Sequence, residues 1–139
     1  MRKKIICITI LMACLSVVSH AQNLKGKYVN EEYHICLYLD VDNSTVKIPG
    51  DDIYGEVAGY FGSKDNDLKW LIIDCKRVSD DTAEISVIND YGSEDFTATL
   101  TEDNDGNITM KHLEGSPYKI YINSKRVKVP KTLILKKQK

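Results

Sequence analysis

Few residues in this chain have chemistry to offer. Past the first 21 residues there are two histidines, His34 and His112, two cysteines, Cys36 and Cys75, and 20 carboxylates. A catalytic histidine needs a hydroxyl or thiol beside it and a motif that activates it. No serine or cysteine here has one, and His34, sharing a strand face with Tyr38, reads as a surface or satisfied histidine. Paired-acid hydrolysis needs two carboxylates held across a substrate, and no spacing singles out such a pair. The chain is therefore read as not an enzyme.

Metal and cofactor chemistry find no better footing. There is no C-x-x-C and no histidine at ligand spacing, so zinc is not expected. Asp103-Asn104-Asp105-Gly106 looks like part of a calcium loop. Aligning Gly106 with the loop's glycine puts Thr101 and His112 at two ligand positions that need acids. Gly55, Gly59 and Gly62 do not form a phosphate loop, because Gly62-Ser63-Lys64 has the wrong order and no helix pattern follows. No metal and no cofactor is expected.

The N-terminus sets the compartment. Arg2-Lys3-Lys4 is followed by an apolar run from Ile5 to Val18 and then by Ser19-His20-Ala21. That is the pattern of a secretory signal peptide over residues 1–21, cut after Ala21. Leu11-Met12-Ala13-Cys14 also resembles a lipobox, which makes a lipoprotein anchored at Cys14 the alternative. Residues 22–139 then form a single exported domain, periplasmic or secreted, with no transmembrane span. An even pair of cysteines in an exported chain suggests a disulfide between Cys36 and Cys75, the alternative being two buried thiols.

Charge narrows the partners. Removing Arg2, Lys3 and Lys4 from 19 basic residues leaves 16 against 20 acidic ones, a net charge of −4. No acid follows Glu114, whereas eight lysines or arginines do. An acidic body with a basic tail does not suit nucleic acid, which asks for a basic face over the whole fold. The tail's lysines are expected on edge strands, where they block edge-to-edge pairing.

These residues need a scaffold, and the pattern for it is period-2. In Thr82 to Thr101, Ala83, Ile85 and Val87 share one face, as do Phe96, Ala98 and Leu100. Asp90-Tyr91-Gly92-Ser93 turns between them, with Gly92 free to take a positive φ. Tyr33 to Val41 alternates as cleanly. Further strands are expected at 24–30, 45–48, 53–62, 67–78, 107–113, 118–123 and 127–137, the last interrupted by Pro130. Trp70-Leu71-Ile72-Ile73 is apolar on both faces, so something must cover its second side: a terminal segment, a partner or a ligand. Cys36 lies on the less apolar face of its strand while Cys75 shares a face with Leu71 and Ile73. A bridge would need a bulge or a covered outer side. The fold class is all-β: an antiparallel up-and-down meander, closed or nearly closed into a barrel of about 8–10 short strands.

Three patches resemble lipocalins. Gly26-Lys27-Tyr28 is similar to their G-x-W signature, Asn89-Asp90-Tyr91 to their T-D-Y signature, and Arg126 lies where a late arginine would fall. Tyr28 stands in place of tryptophan and Asn89 in place of threonine. The resemblance implies an eight-stranded barrel with a central ligand cavity. Tyr28, Tyr91 and Trp70 are the candidate contacts for a ligand or partner. The expected function is an exported, non-enzymatic binding module for a small apolar ligand or a protein. The alternative is an inhibitor or immunity-type protein whose acidic surface meets a basic partner.

Overall fold

The computed structural model describes residues 23–139, and the expected signal peptide over residues 1–21, with Cys14, lies outside them. Twelve strands follow in chain order: β1 (Lys25–Asn30), β2 (Ile35–Asp40), β3 (Val46–Lys47), β4 (Glu56–Val57), β5 (Gly59–Ser63), β6 (Trp70–Arg77), β7 (Thr82–Asn89), β8 (Asp95–Glu102), β9 (Ile108–Gly115), β10 (Lys119–Ile122), β11 (Lys125–Lys128) and β12 (Thr132–Lys137). Eight of them close a barrel in the order β1-β12-β9-β8-β7-β6-β5-β2, every pairing antiparallel. The meander is interrupted twice, by the two-stranded excursions β3–β4 and β10–β11.

Alternation explains the barrel directly. Ala83, Ile85, Val87, Phe96, Ala98 and Leu100 all point inward and are buried. Their outward neighbours on β8, Asp95, Thr97, Thr99 and Thr101, sit on a solvated pleat of β-branched and polar residues. Leu24, Tyr28, Ile35, Leu37, Phe61, Ile72, Met110, Leu133 and Leu135 join the same core from around the ring. A barrel of eight strands is just wide enough for side chains to fill it, and these do.

The strand with two apolar faces has its cover. Trp70 and Ile72 face inward, while Leu71 joins Ile48, Val57 and Tyr60 in a second, outer cluster. The cover is the chain's own β3–β4 hairpin with Tyr38 and Tyr60, whose rings stack at 4.9 Å. A bulge between Ile72 and Asp74 leaves Ile73 exposed. The segment 53–62, expected as one strand, is two. At Gly59 the backbone of β5 meets β2 so closely that a Cβ would run into the Tyr38 carbonyl oxygen.

Candidate functional site

One mouth of the barrel is plugged. The β10–β11 hairpin closes through a two-residue turn, Asn123-Ser124, both at positive φ (52° and 65°), the geometry of a tight hairpin. Its inward residues Tyr118, Ile120, Ile122, Val127 and Val129 pack onto the barrel core. Tyr118 lies within 5.5 Å of both Phe61 and Phe96 and 5.4 Å from Trp70, centroid to centroid. Trp70 Nε1 donates to the Lys119 carbonyl at 3.1 Å, so the lone tryptophan pins the hairpin down. Burial pushes the Tyr118 hydroxyl far above the ordinary tyrosine value.

Three loops surround the plug and form a depression. The β5–β6 loop brings Asp65, Asn66, Asp67 and Leu68, the β7–β8 turn brings Asp90 and Tyr91, and the hairpin brings Tyr121, Asn123 and Ser124. Side-chain bonds to backbone hold these loops in place. Asn66 Nδ2 donates to the Tyr121 carbonyl at 2.9 Å, and Asn66 Oδ1 accepts from Leu68 N at 2.9 Å. Buried Asn89 accepts from Ser93 N at 2.9 Å and from Glu94 N at 3.3 Å, which shapes the turn that presents Tyr91. Glu94 pairs with Lys119 at 3.2 Å and Arg126 at 3.5 Å, tying that turn to the hairpin. The result is a shallow acidic rim around two exposed rings, Tyr91 at 83% and Tyr121 at 42%. Cationic side chains suit such a surface, since carboxylates and ring faces both attract them.

Of the sequence-derived contact residues, only Tyr91 is at this surface. Trp70 is 2% exposed and Tyr28 fully buried, so a docking partner reaches neither. Tyr28 lies inside the barrel and donates to Glu102 Oε1 at 3.2 Å. Burial, and next the Glu102 charge, raise its hydroxyl pKa. Arg126 sits on the hairpin opposite Tyr121 and beside Glu94. The depression's other ring, Tyr121, gave no signal in the sequence. Its exposure follows from a hairpin whose lid role depends on tertiary packing.

The expected Cys36–Cys75 bridge is not formed, and both thiols are free. Cys36 pairs with Val29 and Gly62 and so faces outward near the plugged mouth. Cys75 pairs with Ile85 and faces inward, because the bulge at Ile73 has switched its side. Trp70 is level with Phe61, which leaves Cys75 roughly 16 Å further along β6, well beyond disulfide reach. Burial, and next the charge of Asp74, push the Cys75 thiol up to about 11.

The histidines are engaged locally. His34 Nδ1 lies 2.6 Å from Asp65 Oδ2 at the surface, and among the described residues no hydroxyl or thiol bonds its Nε2. His112 Nε2 bonds the Ser116 carbonyl at 2.8 Å, which places its proton on that nitrogen, and its Nδ1 is buried without a partner. Among the described residues no group of three or more metal-ligating side chains converges, and no helix is long and apolar enough to cross a membrane. No protein-family model, no curated protein and no solved structure matches this chain, so what stands is its architecture: an eight-stranded antiparallel closed barrel, consistent with a calycin-like small barrel.

Proposed function

We propose that this chain is an exported, non-enzymatic binding module that holds a basic segment of a partner protein in the depression at its plugged mouth. The observation that carries the reading is the filled and capped interior. Ile35, Leu37 and Ile85, which would have lined a ligand cavity, belong to one packed core. With the interior occupied, binding moves to the outside. There Asp65, Asp67 and Asp90 surround Tyr91 and Tyr121. Aromatic anchors rimmed by charge are a common way to hold a lysine- or arginine-bearing segment. The leader-like residues 1–21 support export. Two free thiols remove the disulfide as a reason to expect an oxidising compartment.

The second reading is a lipocalin-like carrier of a small apolar ligand, favoured by the closed eight-strand barrel. Titration with lysine/arginine-rich and glutamate-rich peptides separates the two, alongside native mass spectrometry of the protein from its own host. The first reading expects salt-sensitive binding of the basic peptides only, falling about ten-fold or more in Tyr91→Ala. Equal binding of both peptides, or a co-purified apolar molecule of defined mass, overturns it.

A further inference from the structure

The barrel's topology assembles a surface that neither end of the chain contains alone. β12 lies between β1 and β9, so the first and last strands of the described fold are neighbours. Lys25 and Lys27 from β1 thereby join Lys136 from β12 and Lys111 from β9, all outward and exposed. β1 and β12 contain no acidic residue. Among the described residues, Lys27, Lys111 and Lys136 have no carboxylate within 4.0 Å, and Lys25 only just reaches Asp40. In the middle of this wall Ile134 is 57% exposed, opposite Thr109 on β9.

The bland explanation for tail lysines is that they guard a sheet edge. It fails for β12, which is hydrogen-bonded on both sides. The wall is built from lysines, compact point charges with no fixed fork geometry. Such charges suit a fluid array of anions better than a rigid partner that needs bidentate contacts. An exposed apolar side chain among cations is the usual composition of a membrane-surface contact. Glu114, beyond Lys111 on β9, is the one acid on these three strands, so the four lysines outnumber it and an anionic plane would draw this wall towards it.

We propose that the β1–β12–β9 wall docks the barrel on a bilayer surface bearing anionic headgroups, with Ile134 entering the interfacial layer. The plugged mouth then lies to the side and stays open to a partner. This proposal does not depend on what the mouth binds.

The test is co-sedimentation of the full chain with vesicles of phosphatidylcholine, with and without about one third phosphatidylglycerol. The apolar run of residues 5–18 favours both compositions and Arg2, Lys3 and Lys4 favour the anionic one, so the informative quantity is the change in the ratio when wall residues are substituted. Anionic vesicles are expected to bind at least about ten-fold better at low salt, with the advantage lost at high salt. Lys111→Gln with Lys136→Gln is expected to lower anionic partitioning about 25-fold, roughly five-fold per lysine. Ile134→Ser is expected to lower it several-fold. Lys76→Gln, on β6 diametrically opposite β12, is expected to leave it unchanged. Equal binding to both vesicles, or full anionic binding by the Lys111/Lys136 variant, overturns the proposal. So does a salt-sensitive dimer in sedimentation velocity that the Lys111/Lys136 variant abolishes, which would assign the wall to a second copy of this chain.

Discussion

The plugged mouth and the β1–β12–β9 wall are both charged, but their charges are held differently. At the mouth, polar side chains are tied to backbone and to one another: Asn66 to Tyr121, Asn89 to Ser93 and Glu94, Glu94 to Lys119 and Arg126. On the wall, Lys27, Lys111 and Lys136 have no ion-pair partner among the described residues. The mouth's polar groups build the shape that presents Tyr91 and Tyr121. Lys25 reaches Asp40 at 4.0 Å and Lys27 lies over the Tyr38 ring at 5.6 Å, but Lys111 and Lys136 make no ion pair among the described residues. Substitution should therefore cost stability at the mouth and leave it untouched on the wall.

The largest effect is expected beneath the mouth. Trp70→Ala removes the ring that packs against Phe96 and Tyr118 and the donor to the Lys119 carbonyl. Loss of about 3–5 kcal/mol in denaturant unfolding is expected, with early hydrogen exchange across the hairpin. A cost under about 1 kcal/mol would mean that the hairpin does not seal the barrel. Asn89→Ala comes next. It strips the Ser93 and Glu94 amides of their buried acceptor and should cost about 1–3 kcal/mol. Unchanged stability would show that water or another group replaces it, and that the turn presenting Tyr91 is not built by Asn89.

The two regions were unequally legible in the sequence. The period-2 alternation of Thr82 to Thr101 gave strands and faces, because inward and outward residues differ in kind there. Of the strand expected over Tyr33 to Val41 only Ile35–Asp40 forms, since Tyr33 and His34 lie in the turn before it and the outward Cys36 and Asp40 are buried. The bulge at Ile73 could not be read, since Ile72 and Ile73 are chemically alike and either could face inward. That single extra residue put Cys75 on the inner side, and the bridge with Cys36 is ruled out besides by their separation along the strands. The tail's cations do lie on edge strands at Lys119, Lys125, Arg126 and Lys128 of β10–β11, but not on β12, because sequence gives no sign that β12 pairs with β1 across the whole chain. The hairpin's role as a lid was equally hidden: its apolar residues mark a buried face but not what that face covers.

The thiols offer a test of the inward placement itself. With Cys75 raised to about 11, its thiolate is scarce at neutral pH, and alkylation by iodoacetamide should be slow there and speed up as pH approaches that value. The sign is that of a group whose neutral form the fold prefers. The associated stability is full below the unfolded thiol's value near 9 and is lost as pH rises through about 11. Fast alkylation at pH 7–8 in the folded state would place Cys75 outside the barrel. Mass analysis should find two free thiols on residues 36 and 75.

Smaller effects separate the regions more finely. Glu94→Gln removes the partner of Lys119 and Arg126 in a half-exposed setting, so a loss of at most about 1 kcal/mol is expected. Its clearer signature should be faster hydrogen exchange in β10 and β11 than in β7 and β8. Uniform exchange across all four strands would mean that the ion pairs do not tie the turn to the hairpin.

The smallest effect is on the wall, and it makes the contrast decisive. Lys111→Gln with Lys136→Gln is expected to move the unfolding free energy by no more than about 0.5 kcal/mol, because neither side chain has an ion-pair partner to lose among the described residues. A slight gain is the favoured direction, since the change relieves repulsion between neighbouring cations. The same variant must still fold to the same barrel by circular dichroism, which is what lets its vesicle partitioning be read as surface chemistry. A loss above about 1 kcal/mol would show that the lysine stems cover the barrel wall and stabilise it by packing. The wall would then be a structural surface, and its cations would need no partner to explain them.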